Sequence, residues 1–254
     1  SKTHLVVGGT FLNKAEGRYR PLVTSHKLAT GEDASRLNHN QLGDHPRWIR
    51  ATEEGDVLVA SSKGLTRFDP ASGGVRWAVQ GEPAQHSIGA WIVGSAVFVL
   101  GGNEPTLWRM SLADGSAAAH EVDLRERVRF PLTAQVQGRT VTITSPTGLV
   151  VVNEAGETIG ADAINGQPSL EAIQSGERVI VGLEAELRLN EEPQEEPGLR
   201  LFAFAHPSGK LLNIQRVKVY DTAGSLTLLD GKVIIVAGPV TLVIDAPDEP
   251  AKRK

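Results

Sequence analysis

The chain has 254 residues, a formal net charge of −4, no Cys and one Met, Met110. The charge excludes the basic excess of a nucleic-acid-binding surface. The lack of Cys excludes disulfides, thiolate metal sites and a Cys nucleophile. No uninterrupted apolar run of ~18 residues is present to form a membrane-spanning helix.

In chain order, the first apolar run is LVVGG, from Leu5. It opens a series that continues with VLVAS (Val57), VFVLG (Val97), VTITS (Val141), VIVGL (Val179) and VIIVAG (Val233). β-branched runs closed by small residues are the pattern of buried strands. Each of the last five follows a glycine by two or three residues: Gly55, Gly94, Gly138, Gly176 and Gly231. Ahead of those glycines stand WIRAT, GAWIV, PLTAQV, SLEAI and SLTLL, a further set of strands. Sustained helical periodicity is absent.

After each apolar run comes a second strand and a turn glycine. The stretch GLTRFDPASGGVRWAV (Gly64 to Val79) aligns with TLWRMSLADGSAAAHEV (Thr106 to Val122), matching Leu65 to Leu107, Arg67 to Arg109 and Gly73 to Gly115. The turn glycines are Gly31, Gly73, Gly115, Gly156 and Gly209, spaced by 42, 42, 41 and 53 residues. A tight turn between antiparallel strands often needs a positive φ, which glycine adopts without a Cβ clash. Each unit thus reads as strand A, a Gly turn, strand B, a loop, strand C, the x-Gly turn and strand D.

Four antiparallel strands in a unit of about 40 residues is the blade of a β-propeller. An all-β sandwich also has short strands, but it offers no reason for a 42-residue recurrence. The expected fold is therefore all-β: a β-propeller of four-stranded antiparallel blades with about six repeats. The first lacks strand A and the last stops at strand C. The expected repeats are 1–44, 45–84, 85–125, 126–166, 167–218 and 219–247, forming one domain over 1–247, with a flexible tail at 248–254. A chain without an initiating Met reads as trimmed, and two partial blades suit a part of a larger propeller.

FDPASGGVRW resembles the tryptophan-docking motif of the PQQ-like (quinoprotein-type) repeat propellers, through Asp69, Ser72, Gly73 and Trp77. The rhythm covers nearly the whole chain, but the motif is complete in one blade only. At the Asp position the other repeats carry Lys27, Ser111, Asn153 and Ala205; at the Trp position they carry Ser35, Ala119, Gly160 and Asn213. The resemblance implies that Trp77 packs between neighbouring blades, where a ring of its size buries about 150–250 Å², and that Asp69 caps the turn. It also implies an exported protein, periplasmic or extracellular.

Residues that carry chemistry are few. There is no Gly-x-Ser-x-Gly elbow, P-loop, Gly-x-Gly-x-x-Gly or EF-hand loop. HNQLGDH (His39 to His45) lies in a linker between blades and reads as surface or capping residues. Two B-to-C loops stand out. Thr10 to Pro21 carries Lys14, Arg18, Tyr19 and Arg20; Glu184 to Gly198 carries Glu191, Glu192, Glu195 and Glu196. In a propeller such loops project from one face. Arg18, Tyr19, Arg20, Glu191, Glu192, Glu195 and Glu196 are therefore the candidate partner-binding residues; no catalytic, cofactor-binding or metal-binding residue is expected.

The functional expectation is a non-catalytic, protein-binding or scaffold propeller that takes a protein or peptide partner. A blade edge can also accept an extra strand. One alternative is a PQQ-dependent dehydrogenase. Members of that class stack the quinone on an aromatic floor beside a calcium ion and a catalytic Asp, often under a vicinal disulfide that this chain cannot form. The other alternative is a carbohydrate-binding or carbohydrate-active propeller using Trp91 and Trp108 as sugar platforms, although both lie within strands and suit packing.

Overall fold

The apolar runs become strands, and each group of strands closes into its own antiparallel sheet. The structure, a computed structural model, describes residues 3–81, 87–101, 106–116, 121–123, 133–145, 148–163, 170–185, 198–218 and 224–246. The chain divides into two compact units, Ser1–Asp123 and Leu124–Lys254.

The first unit holds three sheets. β1 (His4–Asn13), β2 (Arg18–Lys27) and β3 (Asp33–Leu37) form the first, in that order, and a single helical turn α1 (His39–Leu42) follows. β4 (Trp48–Ala51), β5 (Val57–Ser61), β6 (Gly64–Phe68) and β7 (Val75–Gln80) form the second. β8 (Ser87–Val93), β9 (Ala96–Gly101), β10 (Thr106–Ser111) and β11 (Glu121–Asp123) form the third.

The second unit repeats the plan. Its sheets are β12 (Thr133–Gln137), β13 (Thr140–Ser145), β14 (Gly148–Asn153) and β15 (Thr158–Ala163); β16 (Leu170–Ser175), β17 (Val179–Ala185), β18 (Gly198–Ala205) and β19 (Leu211–Lys218); and β20 (Gly224–Leu229), β21 (Lys232–Ala237) and β22 (Val240–Asp245). In every sheet, strands consecutive in sequence pair antiparallel. The three-stranded sheets are the first and the last.

The B strands are continuously apolar because both of their faces are covered. Side chains alternate across a strand. Val57 and Val59 of β5 pack with Val23, Leu37, Leu42 and Phe68, toward the first sheet. Leu58 and Ala60 pack with Ala90, Val97, Val99 and Met110, toward the third. In the second unit, Val179, Val181 and Leu183 of β17 face Val233, Ile235 and Ala237. Ile180 faces the other way, with Leu149 and Val151. The core thus lies between sheets, and each fully buried Val or Leu contributes about 1.5–3 kcal/mol. Leu42, 1% exposed, is the reason for α1: the short turn lowers one apolar side chain onto the first seam.

The turn glycines behave as their spacing predicts. Gly31, Gly73, Gly115 and Gly209 have φ of 73°, 74°, 73° and 73°. Each donates its N–H to the carbonyl four residues back, at Lys27, Asp69, Ser111 and Ala205. Gly156 instead donates to Asn153, three residues back, with φ 91°. One repeat is 41 residues long rather than 42 because this turn is one residue tighter. Gly176 departs from the other glycines that precede B strands. It is not among the positive-φ glycines, and a Cβ there would lie 2.5 Å from Leu228 Cδ2, the end of a side chain that would have to shift to admit it.

Candidate functional site

Two places concentrate side chains with a task beyond the ladder. The first is the seam between the second and third sheets. Asp69 Oδ1 accepts the Ala71 N–H at 2.8 Å, and its Oδ2 accepts the Ser72 hydroxyl at 2.9 Å. These bonds, the Ala71 one first, hold the Asp69 carboxyl below its ordinary pKa. They shape the turn that delivers Gly73 and then β7.

Trp77, in the middle of β7, is 8% exposed. Its Nε1 donates to Leu112 O at 3.0 Å, in the turn after β10. The ring lies against Gly115, where a Cβ would stand 2.7 Å from Cε3. Arg67 reaches the same carbonyl through Nη1 at 2.6 Å and pairs with Asp56 through Nε at 2.8 Å. Asp69 and Trp77 are thus a turn cap and a seam packer. The Arg67–Asp56 pair is a buried partner of that seam which the motif did not announce. Its one sequence signal was the match of Arg67 to Arg109 in the repeat.

The second place is the first sheet. The stretch Thr10 to Pro21, expected to be a loop, is a long hairpin: β1 and β2 pair without a register break from His4↔Lys27 to Asn13↔Arg18. Only Lys14–Gly17 is turn. Strand alternation carries through Phe11↔Arg20 and Leu12↔Tyr19, which is why the segment stays extended. Arg20 donates Nε to Glu16 Oε2 at 2.8 Å, so the tip is a compensated pair rather than a bare basic loop. Tyr19 is 70% exposed, next to exposed Leu12 and Arg18.

β1 is also a sheet edge: among the described residues no strand pairs with its far side. Thr3 O accepts the Leu28 N–H at 3.0 Å. By antiparallel alternation, the odd-numbered residues exchange bonds with β2, and His4, Val6, Gly8, Thr10 and Leu12 turn N–H and C=O outward. Beside this edge runs an open groove of about 330 Å³, lined by His4, Val6, Ile49, Ala51 and Val57 among others. Leu5 and Leu28 line the groove as well, and Leu5 (53%), Val7 (49%) and Phe11 (40%) are exposed on β1.

Glu191, Glu192, Glu195 and Glu196 lie outside the described residues, as does Ala119. Trp91 and Trp108 are half-buried within β8 and β10; Trp91 lies over Gly89, where a Cβ would be 2.9 Å from Cη2. His39 falls in α1 and His45 in the loop before β4. Among the described residues, no three His, Asp or Glu come together in a metal-holding group. No helix among them is long and apolar enough to cross a membrane.

No protein-family profile matches the sequence, and no curated protein matches it. Solved structures do. The Pan2 WD40 domain of Neurospora crassa superposes with a TM-score of 0.53 at 12% identity, over 89% of this chain and 71% of that one. Dihydro-heme d1 dehydrogenase NirN, in complex with DHE, gives 0.59 at 14%, over 94% of this chain and 54% of that one. Hsv2 of Kluyvelomyces marxianus gives 0.58 at 7%, over 92% and 70%. The chain thus spans between about half and seven-tenths of these proteins. The shared fold is the β-propeller, and this chain is all-β with blades of that kind.

Proposed function

We propose that this protein is a non-catalytic propeller that binds a protein or peptide partner through the segments joining the second and third strands of its blades. The observation that carries the reading is the tip of the β1–β2 hairpin. Exposed Tyr19, Leu12 and Arg18 stand on a two-stranded ladder whose register is unbroken. Tyr and Arg are enriched at the energetic centres of protein interfaces, because they offer large contact area and directed hydrogen bonds. The acidic insertion with Glu191, Glu192, Glu195 and Glu196 is the second contact segment of this proposal. The turn cap at Asp69 and the seam contact of Trp77 support a PQQ-like repeat. Export to the periplasm or cell exterior belongs to the same proposal and rests on that resemblance alone.

The test is cross-linked partner capture in the native compartment by three proteins: wild type, Arg18→Ala/Tyr19→Ala, and the fourfold Glu→Ala variant at 191, 192, 195 and 196. Truncating a central Tyr is expected to cost about 2 kcal/mol or more of binding with no change in melting temperature. Capture unchanged in both variants would overturn the reading.

A further inference from the structure

We propose that the partner segment received at the hairpin tip is acidic: a stretch of polypeptide whose carboxylates flank one apolar or aromatic side chain. The inference rests on the protein-binding reading above and names the chemistry that the tip selects.

The tip overtops the sheet beside it. Gly8↔Val23, Thr10↔Pro21 and Leu12↔Tyr19 share one face of the hairpin. The second sheet covers the lower rows of that face. Val23 packs with Val57 and Val59, and a Cβ on Gly8 would lie 2.5 Å from Ile49 Cδ1 and 2.9 Å from Pro46 Cγ. The cover then stops. Ile49 pairs with Val59, and β5 ends two residues later at Ser61. Five residues of β1 still follow Gly8, up to Asn13. The hairpin therefore stands three residues above the second sheet, about 10 Å. Leu12 (48%) and Tyr19 (70%) are exposed because the sheet they face ends below them, with all four of its own strands in place.

The rim beside this ledge is basic. It is made by residues 10–21, 38–48 and 62–63. Pro46 lies against Gly8, Lys63 Nζ donates to Asn40 O, and the Ser62 N–H donates to Asp44 Oδ1 at 2.8 Å. These segments hold Lys14, Arg18, Arg20, Arg47 and Lys63 against Glu16 and Asp44, a net charge of +3 within a chain of −4. Glu16 is engaged inside the tip, by Arg20 Nε at 2.8 Å and Arg18 Nε at 4.0 Å. Lys14 and Arg47 are exposed and make no ion pair among the described residues. A patch opposite in sign to the chain steers and selects partners by charge. Exposed ion pairs alone are worth little, so Leu12 and Tyr19 must supply the burial, and the two sets together call for carboxylates around an apolar side chain. The end of the hairpin, Lys14–Ala15–Glu16–Gly17, carries no large apolar residue. A flat lipid surface would meet that polar turn first, whereas a peptide can lie in the step between hairpin and rim, against Leu12 and Tyr19.

The probe is the labelled peptide EEDFEE, followed by fluorescence anisotropy over a salt series. Saturable binding is expected, about tenfold tighter than that of QQNFQQ or EEDAEE. Lys14→Glu/Arg47→Glu is expected to weaken EEDFEE about tenfold and to flatten its salt dependence, because the lost attraction is one that salt screens. Tyr19→Ala is expected to weaken it by about the same factor and to leave the salt slope unchanged, because the lost contact is apolar. The circular dichroism of both variants should match wild type, since all three side chains are exposed. Three results would each overturn the proposal. One is no saturable binding of EEDFEE. Another is equal binding of QQNFQQ. The third is binding that survives both variants. If the peptide fails and vesicles of phosphatidylserine and phosphatidylcholine bind through Lys14 and Tyr19, the tip is a lipid contact instead. Peptide failure alongside intact, Tyr19-dependent partner capture sinks the acidic chemistry alone, whereas capture that ignores the hairpin and acidic-segment variants sinks the broader reading.

Discussion

The seam between the second and third sheets and the seam between the fourth and fifth occupy the same place in the repeat and are built from opposite materials. In the first, Trp77 fills the gap, and Arg67 and Trp77 both donate to Leu112 O. In the second, the residue at the Trp position is Gly160, and backbone meets backbone: a Cβ there would lie 2.1 Å from Pro207 O and 2.5 Å from Ser208 C. Asp162 then clamps the join by accepting the Leu211 N–H at 2.8 Å. A third case, Ser35 in the first sheet, is intermediate. Its Cβ lies 3.1 Å from where a Cβ on Gly73 would stand, and its hydroxyl donates to Pro70 O at 2.8 Å. Across these seams, side-chain size and closeness of approach trade against each other, and a donor or acceptor still ties one sheet to the next. The residue at this position varies from repeat to repeat because the join can be made by a ring, a hydroxyl or bare backbone.

Removing the ring is the largest perturbation. Trp77→Ala is expected to cost about 3–5 kcal/mol in denaturant unfolding, because the seam cannot close over the void. A loss below about 1 kcal/mol would show that the ring is dispensable.

Adding a methyl to the opposite seam comes next. Gly160→Ala is expected to cost about 1–3 kcal/mol, because the obstacle is backbone rather than a movable side chain. An unchanged unfolding midpoint would show that this join is loose.

The smallest effect is expected at the turn that leads to Trp77. The Asp69 carboxyl is held below its ordinary pKa by the Ala71 N–H and the Ser72 hydroxyl. Its contribution is therefore present above the unfolded value, about 3.9, and is lost as the pH falls through the lower folded value. Asp69→Asn should lower the melting temperature slightly at neutral pH and converge on wild type below about pH 4, so that the acid limb of the profile is flatter. An acid limb identical to wild type removes Asp69 from the account.

The blades were legible because their signals are local. Five turn glycines, the first four spaced by 42, 42 and 41 residues, need only turn sterics to interpret, and their φ values of 73° to 91° agree. Asp69 and Trp77 were legible because the motif places cap and ring within one turn of each other. The Thr10–Pro21 segment reads as a loop in sequence and is a hairpin in the structure. Its charges and Gly17 mask an alternation that becomes clear once Leu12 is opposite Tyr19 and Phe11 opposite Arg20. The candidate groove left no local trace, because Ile49 and Val57 are distant in sequence from His4 and meet it only when two sheets stack.

Strand identity, turn position, blade count and the all-β class come from periodicities of two and of about forty residues, and a linear chain displays both directly. What lies on each side of a strand depends on which sheet stacks against it. Only the tertiary structure therefore decided that Gly160 is a contact rather than a gap, and that Arg67 and Trp77 share Leu112 O. Burial is a property of the pair of surfaces, and the chain by itself specifies each surface separately.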